Sequence, residues 1–332
     1  MRNFKQLILC ALVIPLLISS CQKEKINKIE NAEALKLLIE SIPTQDGLYV
    51  FESLDQFNET KKDLYKNLEK YKLYFTENAP ITNSFHNFNK AMEEFEDGEI
   101  NNHDDLQRFK MKWKDKLSIT DQITEKYNFT YKNLLTNENG IVKVGDEYLM
   151  FTNSRIYYNS SLDFSILQPL RFVDIEFKEN NNFSRALTAQ CTHTDGRWRV
   201  NGKLYSEFLE FGTPTCLQEV EIDLEAVTRF QKKTLGIWFD TRADFIDVKL
   251  DFDFFTNTDD PVNPITIIQG IHLYKSLNGS KVVSAGSSLR QCLFNGLCNT
   301  DVETEHHAID GSPKDFTFDK DCSIEFDINE CL

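Results

Sequence analysis

Residues 245–255 read FIDVKLDFDFF and carry the clearest structural pattern in this chain. Apolar residues alternate there with polar residues, most of which are acidic. Successive side chains of an extended chain point to opposite faces, so the pattern predicts a strand with one buried face and one face in water. A half-buried strand is typical of an antiparallel sheet, because parallel sheets are usually covered on both faces.

Further strand patterns lie on both sides of this segment. Alternating or short extended runs are found at residues 141–144, 147–151, 155–158, 171–177, 218–224, 265–274 and 322–328. Tight turns rich in Gly and Asn separate the shorter runs, which is typical of a β-meander. Together the strands predict an antiparallel β-sandwich-like domain over residues 126–332.

The chain before residue 126 has a helical period instead. Apolar residues recur there at steps of three and four, and Ser53 with Gln56 is typical of a capping box. The predicted helices cover residues 29–42, 54–71, 85–95 and 106–117. Their aromatic stripes are expected to pack in a core. The predicted fold class is therefore α+β, with an N-terminal helical segment over residues 28–125 before the β-rich domain.

The start of the chain predicts export. Arg2 and Lys5 precede an uncharged apolar run at residues 7–18. This run is too short to span a bilayer, which needs about 20 helical residues, but it suits a secretory signal. We expect residues 1–20 to be a signal peptide.

The signal ends in a lipidation pattern. Ile18-Ser19-Ser20-Cys21 resembles the bacterial lipobox, in which the peptide is cut before the cysteine and the thiol carries a diacylglycerol. The resemblance implies that Cys21 is lipidated and anchors the chain to the lipid bilayer, with residues 21–27 as a tether. An ordinary secretory signal with a chance cysteine is the alternative.

The residues after the cysteine bear on location. Gln22-Lys23-Glu24-Lys25 partly resembles the acidic tag that sends some Bacteroidetes lipoproteins to the outer face of the outer membrane, but Lys25 departs from that tag. A plain solvated tether explains the same residues. The expected location is the cell envelope, lipid-anchored at the outer membrane, with surface exposure as one option.

The charge of the chain limits its partners. The 332 residues have a formal net charge of -15, and removing a signal that holds Arg2, Lys5 and no acid leaves about -17. A strongly acidic protein is a poor binder of nucleic acid, because phosphate contacts need clustered Lys and Arg. We therefore expect no nucleic-acid partner. Basic surfaces or cations are more compatible with this charge.

The cysteines indicate disulfides. An even number in an exported protein favours bridges, and the alternative of a zinc site lacks any C-x-x-C pair. The candidates are Cys191, Cys216, Cys292, Cys298, Cys322 and Cys331. Sequence neighbours close the shortest loops, which favours the pairs Cys191–Cys216, Cys292–Cys298 and Cys322–Cys331, although other pairings stay open.

Several short stretches, taken in order, resemble a group of uncharacterised Bacteroidetes lipoproteins in which a helical segment precedes a β-rich one. The matching residues are 50–54, 134–148, 201–205, 228–233 and 236–238. The resemblance does not extend beyond residue 255. It implies a surface or periplasmic setting, and it supplies no activity and no site residues.

The sequence lacks familiar catalytic motifs. Neither a G-x-S-x-G elbow nor an H-E-x-x-H motif is present. A metal site could draw on Asp301, Glu303 and Glu305 with the neighbouring His306 and His307. Adjacent histidines of an extended chain point to opposite sides, however, so both are not expected to reach one ion. We expect no transition-metal site.

Calcium is the more compatible cofactor, because its ligands are carboxylate and carbonyl oxygens. Asp319 and Asp321 lie beside turns and are the candidate ligands. Their spacing does not follow the EF-hand pattern, and a solvated acidic face explains them more simply. No other cofactor is expected.

A glycan or a protein is the expected type of ligand. Trp198 lies between Arg197 and Arg199 and could present an exposed face to a sugar, whereas Trp238 lies in an apolar run and is expected to be core. The favoured function is a non-catalytic binding or adhesion module. The alternatives are a periplasmic structural component of an envelope complex and a glycan-acting hydrolase. Any pair of the many acids could serve the hydrolase, so no catalytic residue can be chosen.

Overall fold

A computed structural model describes the protein from residue 41 onward. The described residues are 41–78, 80–98, 100–153, 156–162, 168–169, 185–213, 216–257, 265–292, 298–312 and 317–328. Cys21, the predicted signal and tether, residues 29–40 of the predicted first helix, the predicted strand at 171–177 and Cys331 lie outside them. No helix within these ranges is long and apolar enough to span a membrane.

The first part of the described chain is mainly helical. Its helices are α1 (Leu54–Lys66), α2 (Leu68–Asn78), α3 (Ser84–Glu96), α4 (His103–Trp113) and α5 (Thr130–Leu135). The side chains of Ser53, Asn83 and Asn102 accept hydrogen bonds from backbone N–H groups at the starts of α1, α3 and α4. These caps satisfy donors that a helix leaves unpaired, which is why the helices start at these residues.

A mixed sheet, sheet I, packs with these helices. Its strands are β1 (Thr44–Gln45), β2 (Leu48–Phe51), β5 (Ile141–Val144), β6 (Glu147–Phe151), β7 (Ile156–Asn159) and β8 (Gln168–Pro169), in that order. A small hairpin pairs β3 (Ser118–Ile119) with β4 (Ile123–Thr124). The predicted meander is confirmed by β5, β6 and β7. The segment predicted to be helical also contains strands, and β2 pairs in parallel with β5.

The second part of the chain forms two antiparallel sheets. Sheet II contains β9 (Arg185–Asp195), β10 (Trp198–Thr213), β11 (Cys216–Thr234), β12 (Ile237–Asp240) and β15 (Val282–Cys292), with β12 and β15 both paired to β11. Sheet III has the order β14 (Ile265–Asn278), β13 (Phe245–Asn257), β16 (Cys298–Asp310) and β17 (Phe318–Ile328). The α+β class with antiparallel sheets in its C-terminal part is confirmed.

One apolar core lies between sheets II and III. It includes Leu204, Phe230, Leu250 and Phe252, all almost fully buried. In β13 the buried residues alternate with partly exposed ones, which confirms the half-buried strand predicted from residues 245–255.

A disulfide joins the edges of the two sheets. Cys191 of β9 is bonded to Cys322 of β17, with their Cα atoms 5.8 Å apart. The predicted pairs Cys191–Cys216 and Cys322–Cys331 are therefore wrong. The prediction paired cysteines that are close in sequence. The folded sheets instead bring together two cysteines that are 131 positions apart. Of the other cysteine side chains nothing is described.

His306 is fully buried next to this disulfide. Its Nδ1 lies 2.8 Å from the Thr228 hydroxyl oxygen and its Nε2 lies 2.9 Å from that of Thr304. A Cβ atom at Gly202 would overlap the ring of His306, so only glycine fits at that position of β10. Burial lowers the pKa of His306 to about 4.

We expect His306 to make the fold sensitive to acid. Its pKa is lower in the folded state than in the unfolded chain, so the unfolded chain binds the proton first as the pH falls from about 6.5 towards 4. The free energy of unfolding should fall by up to about 3 kcal/mol across this window and should not depend on this group above it. Chemical denaturation at several pH values measures this.

His306→Gln should flatten the pH dependence, while His193→Gln, at an exposed histidine, serves as the matched control. An unchanged pH dependence in His306→Gln would contradict the assignment.

β11 is buried on both of its faces. From residue 221 to residue 231 every side chain is buried, including Glu221, Asp223 and Glu225. The expectation of a half-buried strand at residues 218–224 is wrong here, because the helical part and sheet I cover the face that carries the acids.

Buried cations neutralise Glu221, Asp223 and the neighbouring Glu207 of β10. Lys61 of α1 bonds to Glu221 and lies 2.9 Å from Asp223, and Lys132 of α5 lies 2.9 Å from Glu207 of β10. Burial acts to lower the pKa of Lys61, but Asp223 and Glu221 outweigh it and raise that pKa above the ordinary value. The two parts of the protein are therefore joined through charged groups with no access to water.

Candidate protein-binding surface

The outer face of sheet III is an exposed acidic surface, which we call the acidic face. Residues 246, 248, 250 and 252 of β13 are in the core, so their neighbours along the strand point outward. The register of β13 with β14 and β16, and of β16 with β17, gives the set of outward acids. The described ones are Asp247, Asp251, Asp253, Asp301, Glu303, Glu305, Asp319, Asp321 and Glu325.

The acids stand directly opposite one another in rows. Glu303 of β16 is paired with Asp251 on one side and with Glu325 on the other. Asp301 is likewise paired with Asp253. Adjacent strands are about 4.8 Å apart, and alternate residues of one strand are about 6.8 Å apart. These two rows therefore place several carboxylates close together on the outer face of the sheet.

In one part of the acidic face, basic side chains lie next to the acids. Lys249 lies 2.7 Å from Asp251 and 3.2 Å from Glu305, and His272 lies 3.0 Å from Asp251. Burial acts to raise the pKa of Asp251, but hydrogen bonds from Lys249 and His272 outweigh it and lower that pKa. Hydrogen bonds to Asp251 and Glu305 raise the pKa of Lys249.

The other part has no such compensation. Within the part of the chain that the structure describes, no cation forms an ion pair with Asp253, Asp301, Glu303 or Glu325. Like charges directly opposite on a sheet are destabilising. The carboxylates in these rows therefore repel one another. Uncharged polar residues at the same positions would not repel one another.

The candidate calcium ligands belong to the same face. Asp319 and Asp321 lie within β17 and are exposed. Asp319 is 2.9 Å from Nε2 of His307, and Asp321 stands opposite His307 in the register. Among the described residues, no group of three or more His, Cys, Asp or Glu side chains has the geometry to hold a metal ion.

The two neighbouring histidines point to opposite faces of sheet III, as the sequence predicts. His306 is in the core, whereas His307 is on the acidic face with its Nδ1 3.6 Å from Asp247.

The tryptophan proposed as a sugar platform is partly buried. The ring of Trp198 stacks on Phe230 with centroids 5.5 Å apart, and Nζ of Lys232 lies 5.0 Å from its centroid. One ring face is thus in contact with the core. Trp238 is buried, as predicted, and the guanidinium of Arg199 lies 4.3 Å from its centroid.

A small cleft with two acidic side chains is a candidate active site for the alternative of a glycan-acting hydrolase. It has a volume of about 190 Å³ and its lining includes Glu94 and Asp105. Glu94 lies 2.6 Å from Lys112, and Asp105 is paired with Arg108. A glycosidase needs one carboxyl group with a raised pKa as its acid. The hydrogen bond from Arg108 instead lowers the pKa of Asp105, so Asp105 is not suited to be that acid.

The acidic face could be predicted from the sequence, but the rows of acids across its strands could not. Alternating acids in β13 and the acid-rich end of the chain indicated a solvated acidic face. Asp251, Glu303 and Glu325 lie opposite one another because three strands pair in a particular register. The alternation of residues within one strand does not predict that register.

Comparison with known proteins does not identify the chain. No protein-family model and no curated protein matches it. It is similar to the crystal structure of a DUF4848 family protein from Bacteroides thetaiotaomicron, with 8% sequence identity and a TM-score of 0.29. The match covers 86% of this chain and 99% of that chain. A match at this TM-score does not show a shared fold.

We expect neutralising Glu303 to stabilise the fold. Glu303→Gln removes the repulsion with Asp251 and Glu325, so the free energy of unfolding should rise by about 0.2–1 kcal/mol at low salt. The gain should shrink at high salt, because ions screen exposed charges. Urea denaturation at two salt concentrations measures both effects.

Glu305→Gln is the matched control, because Glu305 accepts a hydrogen bond from Lys249. It should leave the stability unchanged or lower it slightly. Equal effects of the two substitutions would contradict the assignment of Glu303 as a carboxylate without an ion-pair partner.

Proposed function

We propose that this protein is a non-catalytic binding module and that its acidic face binds a protein partner rich in Lys and Arg. The observation that carries the proposal is the row of Asp251, Glu303 and Glu325, which are in register and of which Glu303 and Glu325 are exposed. A partner with cations at matching positions would relieve the repulsion within the row. Relief of that repulsion would add to the attraction between the two surfaces.

Charge complementarity favours a basic partner over the other ligand classes. The face has carboxylates on three of its four strands, whereas its described basic side chains are Lys249, His272 and His307. Such a field steers basic partners to the surface and repels acidic ones. Nucleic acid would be repelled for the same reason.

The spacing favours an extended basic segment. Alternate residues of an extended strand are about 6.8 Å apart, and the carboxylates of one strand in sheet III have the same repeat. A peptide with Lys at every second position can therefore place one ammonium group near each row. A partner with Lys residues clustered in sequence cannot match the array in this way.

We expect a Lys-x-Lys-x-Lys peptide to bind the acidic face. The double variant Glu303→Lys with Glu325→Lys should weaken the affinity about tenfold or more, because attraction becomes repulsion at the centre of the row. Binding should also weaken as salt rises. Titration calorimetry with the peptide measures these effects.

The matched control, Glu59→Lys with Glu93→Lys, makes the same change in net charge on exposed helix positions. It should keep most of the affinity. A peptide of the same composition with consecutive Lys residues should bind more weakly. Equal loss in both double variants, or no binding of the alternating peptide, would contradict the proposal.

We also propose that the protein is located at the cell envelope. A lipid on Cys21 would hold the chain at the cell envelope, with the tether allowing the module to reach a partner. The lipobox resemblance of residues 18–21 supports this part of the proposal.

We expect Cys21→Ala to release the protein from the membrane fraction, because the lipid would be lost. Cell fractionation with immunoblotting measures this. Protease treatment of intact cells then separates the two locations, since digestion requires surface exposure and protection indicates the periplasm. Unchanged membrane association of Cys21→Ala would contradict the lipid anchor.

A further inference from the structure

Strand β17 is a free edge of sheet III. Within the part of the chain that the structure describes, β17 pairs with β16 alone, and no backbone hydrogen bond outside that pairing involves its residues. An edge strand directs about half of its N–H and C=O groups away from its one partner, where they are open to a further strand. β17 therefore presents a row of backbone donors and acceptors to another extended chain.

The sandwich leaves room for such a chain beside β17, which lies opposite β9 and β10 of sheet II. On β10, Val200 and Leu204 are buried in the core. Their partners in the register on β9 are His193, which is exposed, and Ala189, which is half-buried. Sheet III thus covers the inner face of β10 but only part of the inner face of β9.

A fifth strand of sheet III, added beside β17, would cover the rest of β9. It would lie about 4.8 Å from β17 and about 10 Å above sheet II. Every second side chain would face β9 and cover Ala189 together with the disulfide between Cys191 and Cys322, whose residues are half-buried. The other side chains would lie on the acidic face, directly beside the outward residues of β17. These two surroundings favour a chain in which apolar residues alternate with residues suited to the acidic face.

The charges along β17 favour a basic chain. Its described outward residues, all exposed, are Asp319, Asp321, Ser323 and Glu325. Asp319 is paired with His307, whereas Asp321 and Glu325 form no ion pair with any described residue. Opposite charges on neighbouring strands attract one another, and like charges repel. A second copy of this protein paired through β17 would place acids opposite acids, whereas a Lys or Arg beside Asp321 and Glu325 would be attracted.

The other edge of sheet III does not suit a basic chain. Among the described strands, β14 likewise has one partner in the sheet, β13. β14 contains no acidic residue, and it includes Lys275. Charge complementarity therefore favours β17 over β14 as the edge that receives a basic segment.

We propose that the basic partner binds by adding a strand to sheet III beside β17, and that its segment alternates Lys or Arg with apolar residues. The free backbone edge, the uncovered inner face of β9 and the acids of β17 carry this inference. It rests on the proposed function of the acidic face, to which it adds the binding mode and the apolar half of the partner's sequence. In such complexes the backbone hydrogen bonds give affinity, and the alternate side chains give specificity.

Backbone methylation of a peptide tests the strand addition. The probe is Lys-Val-Lys-Val-Lys-Val-Lys, and two versions of it carry N-methyl groups on either the Lys or the Val residues. In a strand the Lys N–H groups point to one edge and the Val N–H groups to the other. One version should therefore bind about tenfold or more weakly than the unmethylated probe, and the other should keep most of the affinity. Equal affinities of the two versions in titration calorimetry would overturn the strand addition.

Two matched serines test the place of binding. Ser323→Lys adds a positive charge between Asp321 and Glu325 on β17, and Ser276→Lys makes the same change at an exposed position of β14. The first should weaken binding of the probe about threefold or more, whereas the second, at the opposite edge of the sheet, should keep most of the affinity. Circular dichroism checks that both variants fold. Equal affinities of the folded variants would refute the assignment to β17.

Replacing Val by Thr in the probe tests the apolar half of the segment. Thr keeps the branched shape and the strand preference of Val but adds a hydroxyl group. The Thr peptide should bind about threefold or more weakly, because it gains less from burial over β9. Equal binding of the two peptides would rule out the apolar half. Binding without any of these differences would leave the proposed function standing but not the strand addition, whereas no binding of either peptide would contradict the proposed function itself.

Discussion

The buried charges on sheet II are the constraint on which the rest of the structure depends. The acids of β11 lie under the helical part, where water cannot solvate them, so each needs a partner within the protein. Lys61 of α1 pairs with Glu221 and Asp223, and the backbone N–H and the hydroxyl group of Thr130 donate to Glu225. On the adjacent strand β10, Glu207 pairs with Lys132 of α5. Breaking a buried pair costs about 3–5 kcal/mol, because it leaves a charge without solvent or partner. The helices can therefore dock on sheet II in one alignment only.

This docking gives the two large sheets opposite roles. In sheet II the strand β11 is covered on both faces, and its polar side chains hold the two parts of the protein together. Sheet III shares the core but keeps its outer face in water, so its acids remain available to a partner. Both sheets use the same alternation of acidic and apolar residues, and the covering layer alone makes one set structural and the other a surface.

Much of the local structure could be predicted from the sequence. The strands at 141–144 and 147–151 have the predicted bounds, and the helix at 84–96 agrees with its predicted stripe to within one residue at each end. Turn residues and helical spacing act over a few positions, so they can be read locally. The pairing of β2 with β5 and the bond between Cys191 and Cys322 could not be read in this way. Each joins segments that are distant in sequence, and no local pattern encodes such a contact.

The sequence by itself determined which face of each strand a residue occupies, because side chains alternate in any extended chain. It likewise determined the approximate position of the helix at 84–96 and the strongly acidic character of the protein, whereas the division between α1 and α2 and the helix α5 were not predicted. The tertiary structure decided what lies against each face. It buried Glu221 beside Lys61 but left Glu303 exposed between two other acids, because burial depends on the layer that packs above a strand and not on the strand's own sequence.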